Sequence, residues 1–204
     1  RPKRICRDCW LRPEPNLLVL WGALIVLGID PSSTSTGYGL IEEVRQRQYR
    51  YLDCGCIRPG AGLAFEDRLV FIYDQLVQLL TQCTPDAVAV ESTFFGKDAD
   101  AAAKLGQARG VILLAARKAG HPVAHYPPAE VKKAVVGHGR ATKEQVRFMV
   151  CRLLALKELP RPLDASDALA IALCHCFQPG RHLPPPSARR RPEVEALLQR
   201  VVRR

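Results

Sequence analysis

Four carboxylates in this 204-residue chain stand where carboxylates can do chemistry. Asp30 ends an apolar run in "LGIDPSSTSTGYG", Glu91 ends another in "AVAVEST", and Asp164 and Asp167 lie in "LDASDALAIA". The last two are three residues apart, which on a helix puts them on one face about 5–6 Å from each other. If the two apolar runs are neighbouring parallel strands, Asp30 and Glu91 project at the same sheet edge, where open α/β sheets build their sites. Clustered carboxylates repel one another and persist only if protonated, exposed or neutralised by cations. All-oxygen ligands select a hard cation, Mg²⁺ or Mn²⁺. Two such ions about 4 Å apart clamp the attacking water and the leaving oxygen of a phosphodiester. Each acid also has an ordinary reading. Asp30 opens a turn before Pro31, Glu91 is a surface residue, and Asp164 caps a helix with Asp167 favoured by its dipole. The joint occurrence favours the metal site.

The elements that must position these acids are readable from periodicity. Residues 23–30 form a continuous apolar run of strand length, the pattern of a central strand buried on both faces. Residues 36–44 and 48–57 read as two antiparallel strands joined by a polar turn. Apolar residues at helical spacing predict a helix over 63–81, stopped at Thr84-Pro85. A short strand at 87–91 follows, then an Ala-rich helix at 99–119, a strand at 122–126 and a helical turn or two at 131–136. Thr142 with Gln145 three residues on forms a capping box that opens a helix at 142–154. The last helix is predicted at 164–177. This order, βββαβαβα with further helices, implies an α/β fold: a mixed sheet with helices on both faces. The domain spans 23–178. Residues 1–22 read as an extra segment, disordered or from a misassigned start, and 179–204 as a Pro- and Arg-rich tail.

Charge and cysteines narrow the function classes. The formal net charge is +10. Residues 104–147 carry nine Lys/Arg and only Glu130 and Glu144 as acids. A clustered basic segment is the footprint of nucleic-acid binding, against the plainer reading of a solvated surface. The eight cysteines are scattered and do not form a disulfide framework. The close pairs, Cys6/Cys9, Cys54/Cys56 and Cys174/Cys176, leave a zinc site as a minor alternative. The apolar stretch 17–28 is too short to cross a membrane, so no membrane segment is expected and the protein is placed in the cytoplasm.

Four segments, "LGIDPSSTSTGYGLI", "AVESTFFGKDADAAAKLGQARGVILLAA", "VKKAVVGHGRATKEQV" and "DASDALAIALCHC", resemble the bacterial RuvC Holliday-junction resolvases, in order and over roughly residues 24–178. The resemblance implies a ribonuclease-H-like fold and a homodimer. It also implies Mg²⁺-dependent nicking of two opposed strands of a four-way junction in DNA recombination and repair. It implies two metal ions, with Mn²⁺ as a substitute, and a RuvA–RuvB branch-migration complex as partner. Carried over by position, Asp30, Glu91, Asp164 and Asp167 are the catalytic metal ligands. Phe94 matches the aromatic that family members press against unpaired bases, and Lys132 and Lys143 match basic residues near the scissile phosphate. Lys133, Arg140 and Arg147 join them as phosphate contacts that position DNA without reading it. Lys104 and Arg109 are further DNA-binding candidates, with structural hydrogen bonding the equal reading of Arg109. The chain departs from the family at Ser32, where members often have Gly, and at Asp164, which is His in some.

Two other classes share parts of this pattern. An actin-like ATPase or sugar kinase also begins with an apolar strand, an Asp and a hydroxyl-rich hairpin, but needs two lobes and a second phosphate loop. Another ribonuclease-H-like nuclease, acting on RNA or other branched nucleic acid, is the closer alternative, opposed by "KLGQARG" and the position of Phe94.

Overall fold

Leu24–Asp30 forms the central strand β1, and its near-total burial explains why the run holds so few polar side chains. A strand covered on both faces has no position to give to water. The computed structural model describes residues 24–45, 47–92, 98–158 and 161–178. After β1 come β2 (Thr36–Arg45), β3 (Gln48–Ile57), α1 (Phe65–Cys83), β4 (Ala87–Glu91) and α2 (Ala99–Lys118). They are followed by β5 (Val123–Tyr126), α3 (Pro128–Val136), α4 (Lys143–Leu153) and α5 (Leu163–Phe177). The five strands form one sheet in the order β3-β2-β1-β4-β5. β1–β2 and β2–β3 pair antiparallel, and β1–β4 and β4–β5 pair parallel. The mixed sheet expected from the element order is the one observed, and β1 and β4 are parallel neighbours.

Alternation along the strands sorts side chains into two cores. Leu27 and Ile29 of β1 and Val88 and Val90 of β4 face α1 and α2, where Ile72, Leu76, Leu80 and Ile112 close the layer. Val26 and Ala89 face the opposite way, against Leu169, Ile171 and Leu173 of α5 and the apolar sides of α3 and α4. α5 packs unusually close to the sheet. A Cβ on Gly28 would lie 2.1 Å from the Ala168 carbonyl oxygen, and one on Gly37 would lie 2.3 Å from that of Asp164. Only hydrogen fits between strand and helix there.

Several element ends differ from the sequence reading. α1 begins at Phe65, two residues later than expected, and ends with Thr84 in the left-handed region at φ 38°. α3 begins at Pro128 rather than 131, because proline's fixed φ suits the first helical position. The capping box at α4 forms as predicted, with the Gln145 amide donating to Thr142 Oγ1 at 3.3 Å and the Thr142 amide donating to Gln145 Oε1 at 2.9 Å. α5 begins one residue early, at Leu163, and Pro162 takes the cap position with no side-chain cap bond. Asp164 is therefore inside the first turn and does not cap the helix. The segments 1–22 and 179–204 lie outside the described residues. Among the described residues no helix is long and apolar enough to cross a membrane.

Candidate active site

Strand parity decides where the acids point. Asp30 has the parity of Val26 and Gly28, and Glu91 that of Ala89, so both end their strands on the face covered by α5. The parallel register runs to Ile29 opposite Val90, which brings the next pair, Asp30 and Glu91, side by side at the carboxyl ends. Each carboxyl acts on the other's ionisation. Burial, then the charges of Glu91, Asp167 and Asp164, pushes Asp30 up to about 7. Burial and Asp167 push Glu91 upward too, against the opposing pull of Lys143 and Lys132. Two carboxyls this close in a poorly solvated site cannot both ionise cheaply.

α5 delivers the other two acids to the same point, from its first turn and the turn after. Its approach depends on Gly37, over which the Asp164 carbonyl rests. Asp167 lies 3.6 Å from the Arg147 guanidinium and 3.8 Å from the Lys143 ammonium, both from α4. Burial still holds its carboxyl above the usual range, with the two cations opposing. Asp164 turns instead toward the loop after β1, accepting from Ser35 Oγ at 2.6 Å, with the Cys56 thiol 4.0 Å from the same oxygen. The electrostatic influence of all three partners on Asp30 unites the four sequence-predicted acids in one site.

The basic residues separate into distinct roles. Lys143 belongs to the acid cluster through Asp167, and Lys132 acts on Glu91. Lys133 and Arg140 are exposed. Lys104 is exposed and paired with Asp100 one helical turn away, at 2.6 Å. Arg109 is turned inward. Its Nε donates to the Glu91 carbonyl oxygen at 3.2 Å and its Nη2 donates to His125 Nδ1 at 2.8 Å. Since a guanidinium only donates, His125 must accept there as the neutral ring, and burial and Arg109 lower its pKa. This geometry gives Arg109 the structural reading: it ties α2 to the strand end that carries Glu91. Arg109→Met is expected to cost about 1–3 kcal/mol of stability and to lower cleavage, with the salt dependence of DNA binding unchanged. A salt slope reduced by about one would instead mark a phosphate contact. Phe94 lies outside the described residues. Sequence reasoning missed Ser35, Arg58 and His125, whose partners come from distant segments.

The donor set fits a hard divalent cation: oxygen ligands only, on rigid elements, partly buried and mutually repelling. Among the described residues no three acidic, His or Cys side chains stand close enough to grip an ion. Asp164 accepts from Ser35 through Oδ2, and Asp167 meets its two cations through Oδ2. Among the described residues, the cysteines at 54, 56, 83, 151, 174 and 176 form no disulfide.

A ribonuclease-H-like sheet that gathers carboxylates at the ends of two parallel central strands defines a class, the metal-dependent phosphodiester nucleases. Within it, the family model described as crossover junction endodeoxyribonuclease RuvC matches residues 26–175. The chain belongs to the RuvC family. The RuvC of Moorella thermoacetica is 52% identical over 159 residues, covering 78% of this chain and 95% of that protein. The RuvC of Pelotomaculum thermopropionicum is 45% identical over 152 residues, covering 74% and 92%. Among solved structures, T. thermophilus RuvC in complex with a Holliday junction substrate superposes with TM-score 0.72 at 41% identity, covering 76% of this chain and 93% of that one. The yeast mitochondrial resolvase Ydc2, at 12% identity and TM-score 0.55, shares the fold.

Proposed function

We propose that this protein is a crossover junction endodeoxyribonuclease that resolves four-way DNA junctions by paired nicks in two strands of like polarity. The observation that carries this reading is the Asp30–Glu91 pair, set side by side at the carboxyl ends of β1 and β4 beneath the acid-bearing turn of α5. Asp30, Glu91, Asp164 and Asp167 are the metal ligands, holding Mg²⁺, two ions per site, with Mn²⁺ able to replace it. Divalent cations held there supply Lewis acidity toward the scissile phosphate and toward water. The protein supplies the rest. Lys143 and Arg147 hold Asp167 and add positive charge beside the phosphate, and Lys132 offsets the charge of Glu91. Lys133 and Arg140 contact flanking phosphates, and Phe94 stacks on an unpaired base, a contact worth about 1–3 kcal/mol.

A four-way junction is two-fold symmetric and a C₂ dimer matches it, so the active species is a homodimer. It works in the cytoplasm beside a branch-migration motor of the RuvA–RuvB kind. Residues 23–178 are the nuclease domain, and the tails contribute general DNA affinity. The test is cleavage of a synthetic four-way junction, linear duplex DNA and single-stranded RNA in parallel, with Mg²⁺. The reading predicts cutting of the junction alone. Preferential cutting of RNA would instead favour a different ribonuclease-H-like nuclease.

A further inference from the structure

Asp167 is steadied by two cations, whereas Asp164 is steadied by a hydroxyl, and the hydroxyl's own orientation is set from behind. Ser35 Oγ lies 2.6 Å from Asp164 Oδ2 and 3.3 Å from Arg58 Nε. The guanidinium can only donate, so Ser35 must accept from Arg58 and direct its own proton at Asp164. The loop holds Ser35 in place. Ser32 Oγ accepts from the amides of Thr34 and Ser35, each at 3.2 Å. Three elements thus converge on one carboxylate oxygen: the hydroxyl-rich loop after β1, the residues following β3, and the first turn of α5.

We propose that Ser35, oriented by Arg58, is a positioning residue that sets Asp164 for metal binding. The inference rests on Asp164 being one of the metal ligands. Partners that orient a ligating group raise metal affinity, and their loss costs about 10–100-fold. The weaker orientation of a single hydroxyl puts the expectation at the low end.

The experiment uses the full chain, freed of metal and titrated with Mg²⁺. It follows both the metal-induced rise in melting temperature and the metal dependence of junction cleavage. Ser35→Ala should raise the Mg²⁺ half-saturation about tenfold in both readouts, and Ser35→Thr, which keeps the hydroxyl, should stay near wild type. Arg58→Met should shift it in the same direction by less. Because Arg58 acts through Ser35, the double variant should be no worse than Ser35→Ala alone, a non-additivity that independent residues would not show. Asp164→Asn is the reference. If Asp164→Asn shifts the half-saturation and Ser35→Ala does not, the positioning role is overturned while the ligand reading stands. If Asp164→Asn leaves it unmoved, both fall. Should Ser35→Ala fail to fold, Ser35→Thr and Arg58→Met still decide. A Thr variant that binds metal tenfold worse, or an Arg58→Met variant that loses junction affinity with normal metal dependence, contradicts the proposal.

Discussion

Replacing Asp30 by Asn is expected to lower junction cleavage about a thousandfold or more while making the metal-free protein more stable above neutral pH. The first effect follows from the role proposed for Asp30 as a metal ligand, since charge stabilisation by a bound cation is worth several kcal/mol of barrier. The second follows from the raised pKa. Burial, then the charges of the neighbouring acids, pushes Asp30 up to about 7 from the ordinary carboxylate value of 3.8. A raised carboxyl binds its proton more tightly in the folded state. Its contribution to stability is therefore complete below about pH 4 and is lost as pH rises through about 7. A shift of this size corresponds to at most about 4 kcal/mol. Asn carries no titrating proton, so Asp30→Asn should flatten the stability profile of the metal-free protein between pH 4 and 8. Divalent cations should oppose the same loss in the wild type, because they bind the ionised native state and stabilise it by mass action. Chemical denaturation at several pH values, with and without Mg²⁺, checks both parts. A metal-free Asp30→Asn protein less stable than wild type at pH 8 would mean that repulsion among the acids has been overestimated.

The other large effect is expected at Gly28. An added methyl would meet the Ala168 carbonyl at 2.1 Å and the Ala172 amide nitrogen at 2.7 Å, both of them backbone. No rotamer relieves a backbone clash, so α5 has to lift from β1 along its middle. Overpacking that side chains can absorb costs about 1–3 kcal/mol, and Gly28→Ala should exceed that range. The measurement is the denaturant midpoint at unchanged slope. Gly37→Ala provides the contrast. Its clash, at 2.3 Å, is with the Asp164 carbonyl at the start of α5. It should displace the acid-bearing turn and reduce cleavage and Mg²⁺ stabilisation more than it reduces the metal-free denaturation midpoint. Equal loss of both properties in the two variants would show that α5 moves as one rigid piece.

How far the sequence reached depended on the range over which each signal acts. Burial on both faces wrote the apolar runs of β1 and β4, and the periods of the helices gave the element order. The capping box at Thr142 is a local motif and was readable as such. The acids were legible because four of them ended or opened apolar segments, a pattern that burial alone disfavours. Boundaries shifted where local chemistry competed. Pro128 extended α3 backward, and Pro162 took the cap of α5 that Asp164 was suited to fill. That single residue changes the meaning of Asp164, whose side chain is released from capping and turns to Ser35. Ser35, Arg58 and His125 were hidden for a common reason. Each derives its role from a partner in a distant segment, and for Arg109, whose structural reading was open from the sequence, one partner is a backbone carbonyl that has no sequence signature at all.

Mapping the nicks on a synthetic four-way junction at nucleotide resolution separates a metal-dependent junction resolvase from a less selective nuclease. Wild type and Asp30→Asn would be compared with Mg²⁺ present and with it chelated. One pair of nicks is expected, in two strands of like polarity and symmetric about the crossover, present only with wild type and metal. Nicks scattered over all four arms, cutting that survives chelation, or cutting by Asp30→Asn at the wild-type rate would contradict it.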